Sequence, residues 1–401
     1  MPLPRVRRLE LPHFSDILQR AHCYFERNSM NLDTLLRVMI SKGASDLHLK
    51  VGCFPHLRVN GELVPLGDQG KLDKEDSLMM AFSIMNNKQK ERFRDQAEID
   101  LGYGLRGLGR FRVNVFQQRG QVSVAIRAIP TNIPGFEELH LPSILEKIAR
   151  EPRGLILVTG TTGSGKSTTI ASMLNYINER TMRHIITIED PIEFSYTDRM
   201  SIISQREVGV DAQSFAAALR SSLRQDPDVI LVGEMRDMET IETALVAAET
   251  GHLVFSTLHT LDAVETINRI VAVFPIHQQK QIRLQLSMVI RAVISMRLMK
   301  RSDTSGRVPA IEIMRATELI RSCVLDPDKT RLLREAIAAG TSQYGMQTFD
   351  QSIYEHYKEG RITLEDALSY ATNPEEFKLR VQGIYTTKDA AIESMERDIA
   401  R

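Results

Sequence analysis

The residues with the clearest chemistry form a glycine-rich loop between an apolar strand and a helix. Residues 160–167 read GTTGSGKS, the G-x-x-x-x-G-K-[ST] pattern of a phosphate loop. The apolar run 155–159 predicts the strand, and apolar residues at helical spacing from Ile170 predict the helix. Backbone N–H groups can surround a polyphosphate, Lys166 can reach its β and γ oxygens, and the Ser167 hydroxyl can bind Mg²⁺. The predicted nucleotide contacts are Gly160, Thr161, Thr162, Gly163, Ser164, Gly165, Lys166, Ser167 and Thr168.

Two further predicted strands deliver carboxylates at their carboxyl ends, where open α/β sheets bind ligands. Glu189 and Asp190 end the run HIITIED, and Glu234 ends VILVGE. Hydrolysis of ATP needs one carboxylate to orient and deprotonate the attacking water and another to hold the water shell of Mg²⁺. We assign the base role to Glu234 and the second role to Glu189, both reaching the metal through water. A capping or salt-bridging role is the alternative for each carboxylate.

Two histidines flank the predicted strand LVFSTL, His252 before it and His259 at its carboxyl end. A neutral imidazole there can hydrogen-bond a phosphate oxygen or a catalytic carboxylate, so we include both as candidate catalytic residues. The alternative for each is a purely structural hydrogen bond.

Three arginines of the N-terminal third are candidates for binding the γ-phosphate. The i, i+2 spacing of Arg110 and Arg112 places them on one face of a strand, and Arg127 ends the next β-rich run. Phosphoryl transfer commonly uses a guanidinium, often supplied by a neighbouring subunit. Surface salt bridges are the alternative role.

The composition is that of an ordinary globular protein. The 401 residues carry no net charge and are 42% hydrophobic, which gives no general attraction for nucleic acid or anionic lipid. Cys23, Cys53 and Cys323 lie far apart, so we expect no zinc site formed by them. The longest apolar run, 288–299, is interrupted by two arginines, so we expect no direct membrane insertion.

Turn residues and periodicity divide the chain. Asn60-Gly61 marks a hairpin in an α+β region, prolines at 130, 134 and 142 mark a linker, and alternating strand and helix patterns follow. We therefore expect an N-terminal extension (1–29), an α+β domain (30–140), a linker (141–153), an α/β core on a parallel sheet (154–275), a helical region (276–373) and a charged tail (374–401).

Seven segments, in this order, resemble the PilT/PilU twitching-motility ATPases of the type II/IV secretion superfamily. They are ASDLHLKVG, GRFRVNVF, GTTGSGKST, IEDPIEF, QREVG, LRQDPDVILVGEMRD and ETGHLVFSTLH, within a resemblance that runs from residue 30 to about 373.

The resemblance implies a PAS-like N-terminal domain, a RecA-like P-loop ATPase domain and a helical C-terminal region. It also implies a homohexamer in the cytoplasm, peripheral to the inner membrane through a pilus platform protein, with a paralogous retraction ATPase as a further partner. The family's Walker A, Asp box, Walker B and His box fall on 160–167, 186–194, 228–237 and 251–259, and its trans-acting arginines fall on Arg110, Arg112 and Arg127.

Two features resemble the pilus-retraction ATPases rather than the pilus-extension or type II secretion ATPases. The first domain begins near residue 30, and no cysteine pair suits a zinc element. The helical motif usually written AIRAGS is at best LIRS here, at 319–322. That departure leaves open a principal motor or an accessory PilU-like ATPase with little activity of its own. A nucleic-acid motor is disfavoured by the zero net charge.

Overall fold

The computed structural model describes residues 31–304 and 306–384 and divides them into two compact units. The N-terminal unit comprises 31–131 with 193–195, and the C-terminal unit comprises 132–192 with 196–384. The predicted extension 1–29 and the end of the predicted tail lie outside the described residues.

The N-terminal unit is built on a six-stranded antiparallel sheet in the order β3-β2-β1-β6-β5-β4. Its strands are β1 (Asp46–Lys50), β2 (His56–Val59), β3 (Glu62–Pro65), β4 (Glu98–Leu105), β5 (Gly109–Gln118) and β6 (Gln121–Ile129). Its helices are α1 (Leu32–Ser41), α2 (Lys74–Ser83) and α3 (Asn87–Gln96). The Asn60-Gly61 hairpin between β2 and β3 is confirmed.

Helices cover one face of this sheet and leave the other polar. In β5, Phe111, Val113 and Val115 are buried in the same core as apolar residues of the three helices, while Arg112 is exposed. Two helices, α2 and α3, follow each other here, because a capping box between Asn86 and Gln89 starts the second one.

The C-terminal unit is built on a seven-stranded sheet in the order β13-β12-β7-β11-β10-β8-β9. All neighbours are parallel except β12 and β13. The strands are β7 (Gly154–Thr159), β8 (His184–Glu189), β9 (Ile202–Glu207), β10 (Val229–Val232), β11 (Leu253–Leu258), β12 (Ile290–Lys300) and β13 (Arg307–Arg315). Strands β7, β10 and β11 are buried on both faces, which explains their continuous apolar runs.

Two cores lie on the two faces of this sheet, and a third core contains residues of the last three helices. Leu155 and Leu157 of β7 belong to one core, and Ile156 and Val158 to the other. The helices are α4 (Ile144–Ala149), α5 (Lys166–Arg180), α6 (Phe215–Ser222), α7 (Met238–Glu249), α8 (Ala263–Ala272), α9 (Ile276–Val289), α10 (Glu318–Leu325), α11 (Leu333–Ala339), α12 (Thr341–Tyr344), α13 (Phe349–Lys358), α14 (Leu364–Tyr370) and α15 (Pro374–Val381). None of the described helices has the length and apolar character of a membrane span.

The structure corrects three predicted segments. The region 276–373 is not purely helical, since β12 and β13 extend the ATPase sheet beyond the predicted end at residue 275. The predicted linker 141–153 contains α4, which packs in the core of the C-terminal unit. The predicted charged tail begins with α15, whose Phe377 is buried against the C-terminal helices.

Phe377 anchors α15, and its removal should destabilise this end of the protein. Its side chain is 2% exposed and meets the Tyr354 ring edge-on, with centroids 6.1 Å apart. We expect Phe377→Ala to cost about 3–5 kcal/mol, and truncation after residue 373 to do similar damage. Thermal melting is the measurement. Leu379→Ala, at a position 40% exposed on the same helix, is the control, and equal melting of the two variants would contradict the anchoring role.

Candidate active site

The phosphate loop joins β7 to α5, as predicted. Gly160, Gly163 and Gly165 have positive φ values of 141°, 80° and 96°. A Cβ on Gly160 would lie 2.5 Å from the Met296 carbonyl oxygen of β12, so the loop lies directly against that strand. Glycine is therefore required at residue 160 both by the backbone conformation and by this contact.

Polar groups of the loop are arranged to receive phosphate. Lys166 is 8% exposed, and its Nζ donates to the carbonyl oxygens of Gly160 at 2.7 Å and Thr161 at 2.9 Å. The Ser164 Oγ atom is buried with no hydrogen-bond partner among the described residues, which fits a loop completed by a bound group. Ser167 and Thr168 lie half-buried in the first turn of α5.

Glu189 is held at the carboxyl end of β8. Its side chain is buried, and its Oε1 accepts hydrogen bonds from Thr187 Oγ1 at 2.6 Å and from Gln205 Nε2 at 3.3 Å. Gln205 lies on the neighbouring strand β9. These two donors fix the orientation of the carboxylate at the strand end.

Glu234 follows β10, one strand away from Glu189. Its Oε2 pairs with Arg236 Nη2 at 2.7 Å, and its Oε1 lies 3.5 Å from His259 Nε2. Partial burial raises the pKa of Glu234. The hydrogen bond and charge of Arg236, with the charges of His259 and Lys166, lower this pKa by more than burial raises it, so the net shift is downward. Glu234 is therefore ionised at neutral pH.

Gly233, which stands where a Walker B strand often has Asp, has a steric reason for its identity. A Cβ there would come within 3.1 Å of the Ile188 carbonyl oxygen, to which the Gly233 N–H donates at 2.8 Å. The parallel pairing of β8 with β10 brings Glu189 and Glu234 to the same edge of the sheet.

The two histidines lie at opposite ends of β11. His259 follows the carboxyl end of the strand, beside Glu234. His252 precedes the strand, and its Nδ1 bonds the Ala247 carbonyl oxygen at 2.8 Å. The strand pairs in parallel with β7 from Gly154, so His252 lies about 20 Å from the phosphate loop. The prediction that His252 is catalytic is therefore corrected: its position is structural.

The three candidate arginines, Arg110, Arg112 and Arg127, lie on the polar face of the sheet of the N-terminal unit. Arg112 and Arg127 are directly paired across β5 and β6. Arg127 Nε lies 2.8 Å from Asp46 Oδ1, whereas Arg112 Nε lies 3.9 Å from Asp100 Oδ1. Arg110 lies beside Gly102, where a Cβ would come within 2.9 Å of its guanidinium. The arginines thus form one group on this unit.

The sequence did not predict three neighbours of the two carboxylates: Arg236 beside Glu234, and Thr187 and Gln205 beside Glu189. Arg236 is separated from Glu234 by one residue, and its own side chain is 76% exposed. The letters GEMRD contained it, but no spacing rule predicts its pairing. Thr187 lies two residues before Glu189 on the same strand, whereas Gln205 reaches Glu189 only because β9 pairs with β8, which local patterns do not reveal.

The chain is similar to known proteins over most of its length. The family model described as "Type II/IV secretion system protein" matches residues 29–399. The type IV pilus retraction ATPase PilT of Pseudomonas aeruginosa is 44% identical, over 87% of this chain and 100% of the relative. The type IV pilus ATPase PilU of the same organism is 40% identical, over 88% of this chain and 92% of the relative.

A solved structure, the pilus retraction motor PilT with bound ADP, matches with a TM-score of 0.80 and 47% identity, over 87% of this chain and 99% of the other. It supports the RecA-like P-loop fold inferred from the sequence. This structure, the two relatives and the family model together match both described units of this chain. The chain therefore belongs to the type II/IV secretion system protein family, and within that family it is an ATPase of the PilT/PilU type.

Proposed function

We propose that this chain is a motor ATPase that couples ATP hydrolysis to retraction of a type IV pilus, by removing pilin subunits from the pilus base. The observation that carries the proposal is the convergence of Lys166, Glu189, Glu234 and His259 at one edge of a parallel sheet. The similarity to PilT and PilU over nearly their whole lengths supports retraction rather than pilus extension or type II secretion.

The phosphate loop binds the triphosphate of ATP. Lys166, now held by two loop carbonyl oxygens, supplies the charge for the β and γ phosphates. Mg²⁺, when bound, neutralises charge on the phosphates. Ser167 is the protein oxygen placed to hold it, and Glu189 and Glu234 reach it through water.

Glu234 orients the attacking water and takes its proton. The carboxylate is ionised at neutral pH, and Arg236 occupies Oε2, so Oε1 is the oxygen that faces His259 and can accept from water. His259 is 44% exposed and can donate to Glu234 or to a phosphate oxygen. Thr187 and Gln205 hold the Glu189 carboxylate in one orientation. A fixed carboxylate suits a role in ordering water rather than in accepting its proton.

Arginines complete the site from a neighbouring subunit of a homohexamer. The proposal rests on the shared face of Arg110, Arg112 and Arg127, and on the chemical need for a guanidinium at the γ-phosphate. Arg236 is already paired with Glu234, so we do not assign it to the γ-phosphate. We place the hexamer at the cytoplasmic side of the inner membrane, bound to the pilus platform protein.

An accessory PilU-like role is the second candidate, since PilU and PilT are similarly close to this chain. In that case a paralogous retraction ATPase is a partner and supplies most of the hydrolysis. The intact positions of Glu189 and Glu234 favour a chain that hydrolyses ATP by itself.

Lys166→Ala and Glu234→Gln should both abolish steady-state ATP hydrolysis, by different routes. Loss of Lys166 removes phosphate binding, so nucleotide affinity should fall. Loss of the Glu234 charge blocks water activation, so ATP should stay bound. Hydrolysis and nucleotide-binding titrations distinguish the two variants. Glu242→Gln, at an exposed position on α7, is the matched control. Turnover by Glu234→Gln within threefold of wild type would refute the base assignment.

The trans arginine should be revealed by mixing inactive subunits. Replacing the critical residue among Arg110, Arg112 and Arg127 with Ala should lower turnover roughly 10³-fold, with little change in ATP affinity. Rings that also contain Glu234→Gln subunits should regain activity, because some interfaces then carry both intact groups. Absence of recovery in verified mixed hexamers would return the arginines to ordinary surface roles.

Cells that carry this chain as their sole retraction ATPase separate the principal from the accessory role. A principal motor should retract pili in such cells, and its Glu234→Gln variant should not. Retraction that appears only when a paralogous ATPase is restored would support the accessory alternative.

A further inference from the structure

We propose that Glu312 is a positioning residue for His259, which it controls through a hydrogen bond to the start of α8. Glu312 lies on β13, remote in sequence from the phosphate loop and from both catalytic carboxylates. Its Oε1 accepts a hydrogen bond of 2.9 Å from the Ala263 N–H, the first residue of α8.

The segment between His259 and α8 is short and tied at several points. Asp262 caps the helix by accepting from the Glu265 N–H, and the Leu261 N–H donates to Glu265 Oε2. All these bonds lie within one stretch of chain. Glu312 supplies a bond from a different element, so it fixes the stretch relative to the sheet rather than only to itself.

The same carboxylate ends a buried polar row that begins at the phosphate loop. Thr159, which precedes Gly160, donates through Oγ1 to Ser295 Oγ of β12 at 3.0 Å. Ser295 is paired directly with Glu312 on β13. Thr159 and Ser295 are fully buried, and Glu312 is 5% exposed. The loop that binds phosphate and the loop that carries His259 are therefore braced by the same pair of strands.

Burying a carboxylate costs more free energy than a single hydrogen bond returns, which points to a role beyond packing. Burial raises the pKa of Glu312 to about 7, against the hydrogen bond from Ala263. The charges that face it are Asp262 before α8, which raises the pKa, and Arg297 of β12 and Arg334 of α11, which lower it. The amino-terminal dipole of α8 favours the ionised form further.

The test compares Glu312→Gln with Glu312→Leu. The amide oxygen of Gln can accept from Ala263, so turnover should stay within about threefold of wild type, whereas Leu leaves the N–H unpaired and should lower kcat by about tenfold or more with KM little changed. If Glu312→Leu does not fold, Glu312→Ala takes its place, since it removes the acceptor without adding bulk. Wild-type turnover by a folded Leu or Ala variant would overturn the proposal.

A double-mutant cycle with His259→Ala separates positioning from general damage. If Glu312 acts through His259, Glu312→Leu should change single-turnover hydrolysis by less than about twofold once His259 is absent. The same tenfold loss in both backgrounds would show an independent structural effect and overturn the proposal. Hydrogen exchange of the backbone amides of 259–265 should accelerate in the Leu variant and not in the Gln variant; unchanged exchange in both would also overturn it.

Stability against pH tests the placement of the acid without any activity assay. Because its pKa is raised from 4.5 to about 7 in the folded chain, Glu312 stabilises least once the pH has risen past 7. The melting temperature of Glu312→Gln relative to wild type should therefore increase from pH 5 to pH 8. An equal difference at both pH values would show that the carboxyl is not buried at α8 and would contradict the proposal.

Discussion

The active site depends on the parallel pairing of β7, β8, β10 and β11, because parallel strands bring all their carboxyl ends to one edge. Residues separated by more than 90 positions, from Lys166 to His259, meet there without any local sequence relation. Strands paired in this way are largely buried on both faces, which is why these segments are mostly apolar. The polar residues of the site lie at or just after the carboxyl ends of these strands.

Charge balance then sets the state of the site. Burial raises the pKa of Glu234, but the hydrogen bond and charge of Arg236 contribute most to lowering it, and the net shift is downward. Glu189 Oε1 accepts from two neutral donors, Thr187 and Gln205. The two acids therefore differ in their partners: Glu234 is paired with an exposed arginine, and Glu189 accepts from a buried threonine and a half-buried glutamine. This asymmetry supports distinct roles in water activation and water ordering.

The sequence predicted what local patterns encode. The phosphate loop, the strand ends with Glu189 and Glu234, and the shared face of Arg110 and Arg112 followed from spacing alone. The strands β12 and β13 were missed because a short apolar run has no periodicity that separates strand from buried helix. His252 was misjudged although it precedes the predicted strand, at the end opposite to the carboxyl end where open α/β sheets bind ligands. Arg236 was missed although it lies two residues from Glu234, because no spacing rule predicts that pairing. Glu312 was missed because its partner Ala263 lies on a distant element.

A structure of the wild-type chain with Mg²⁺ and a non-hydrolysable ATP analogue tests the central claim most directly. The account predicts phosphate bound by residues 160–167, Lys166 moved from the Gly160 and Thr161 carbonyls to phosphate oxygens, and a water between the γ-phosphate and Glu234 Oε1. Nucleotide bound elsewhere, or a γ-phosphate whose nearest carboxylate is neither Glu234 nor Glu189, would contradict it.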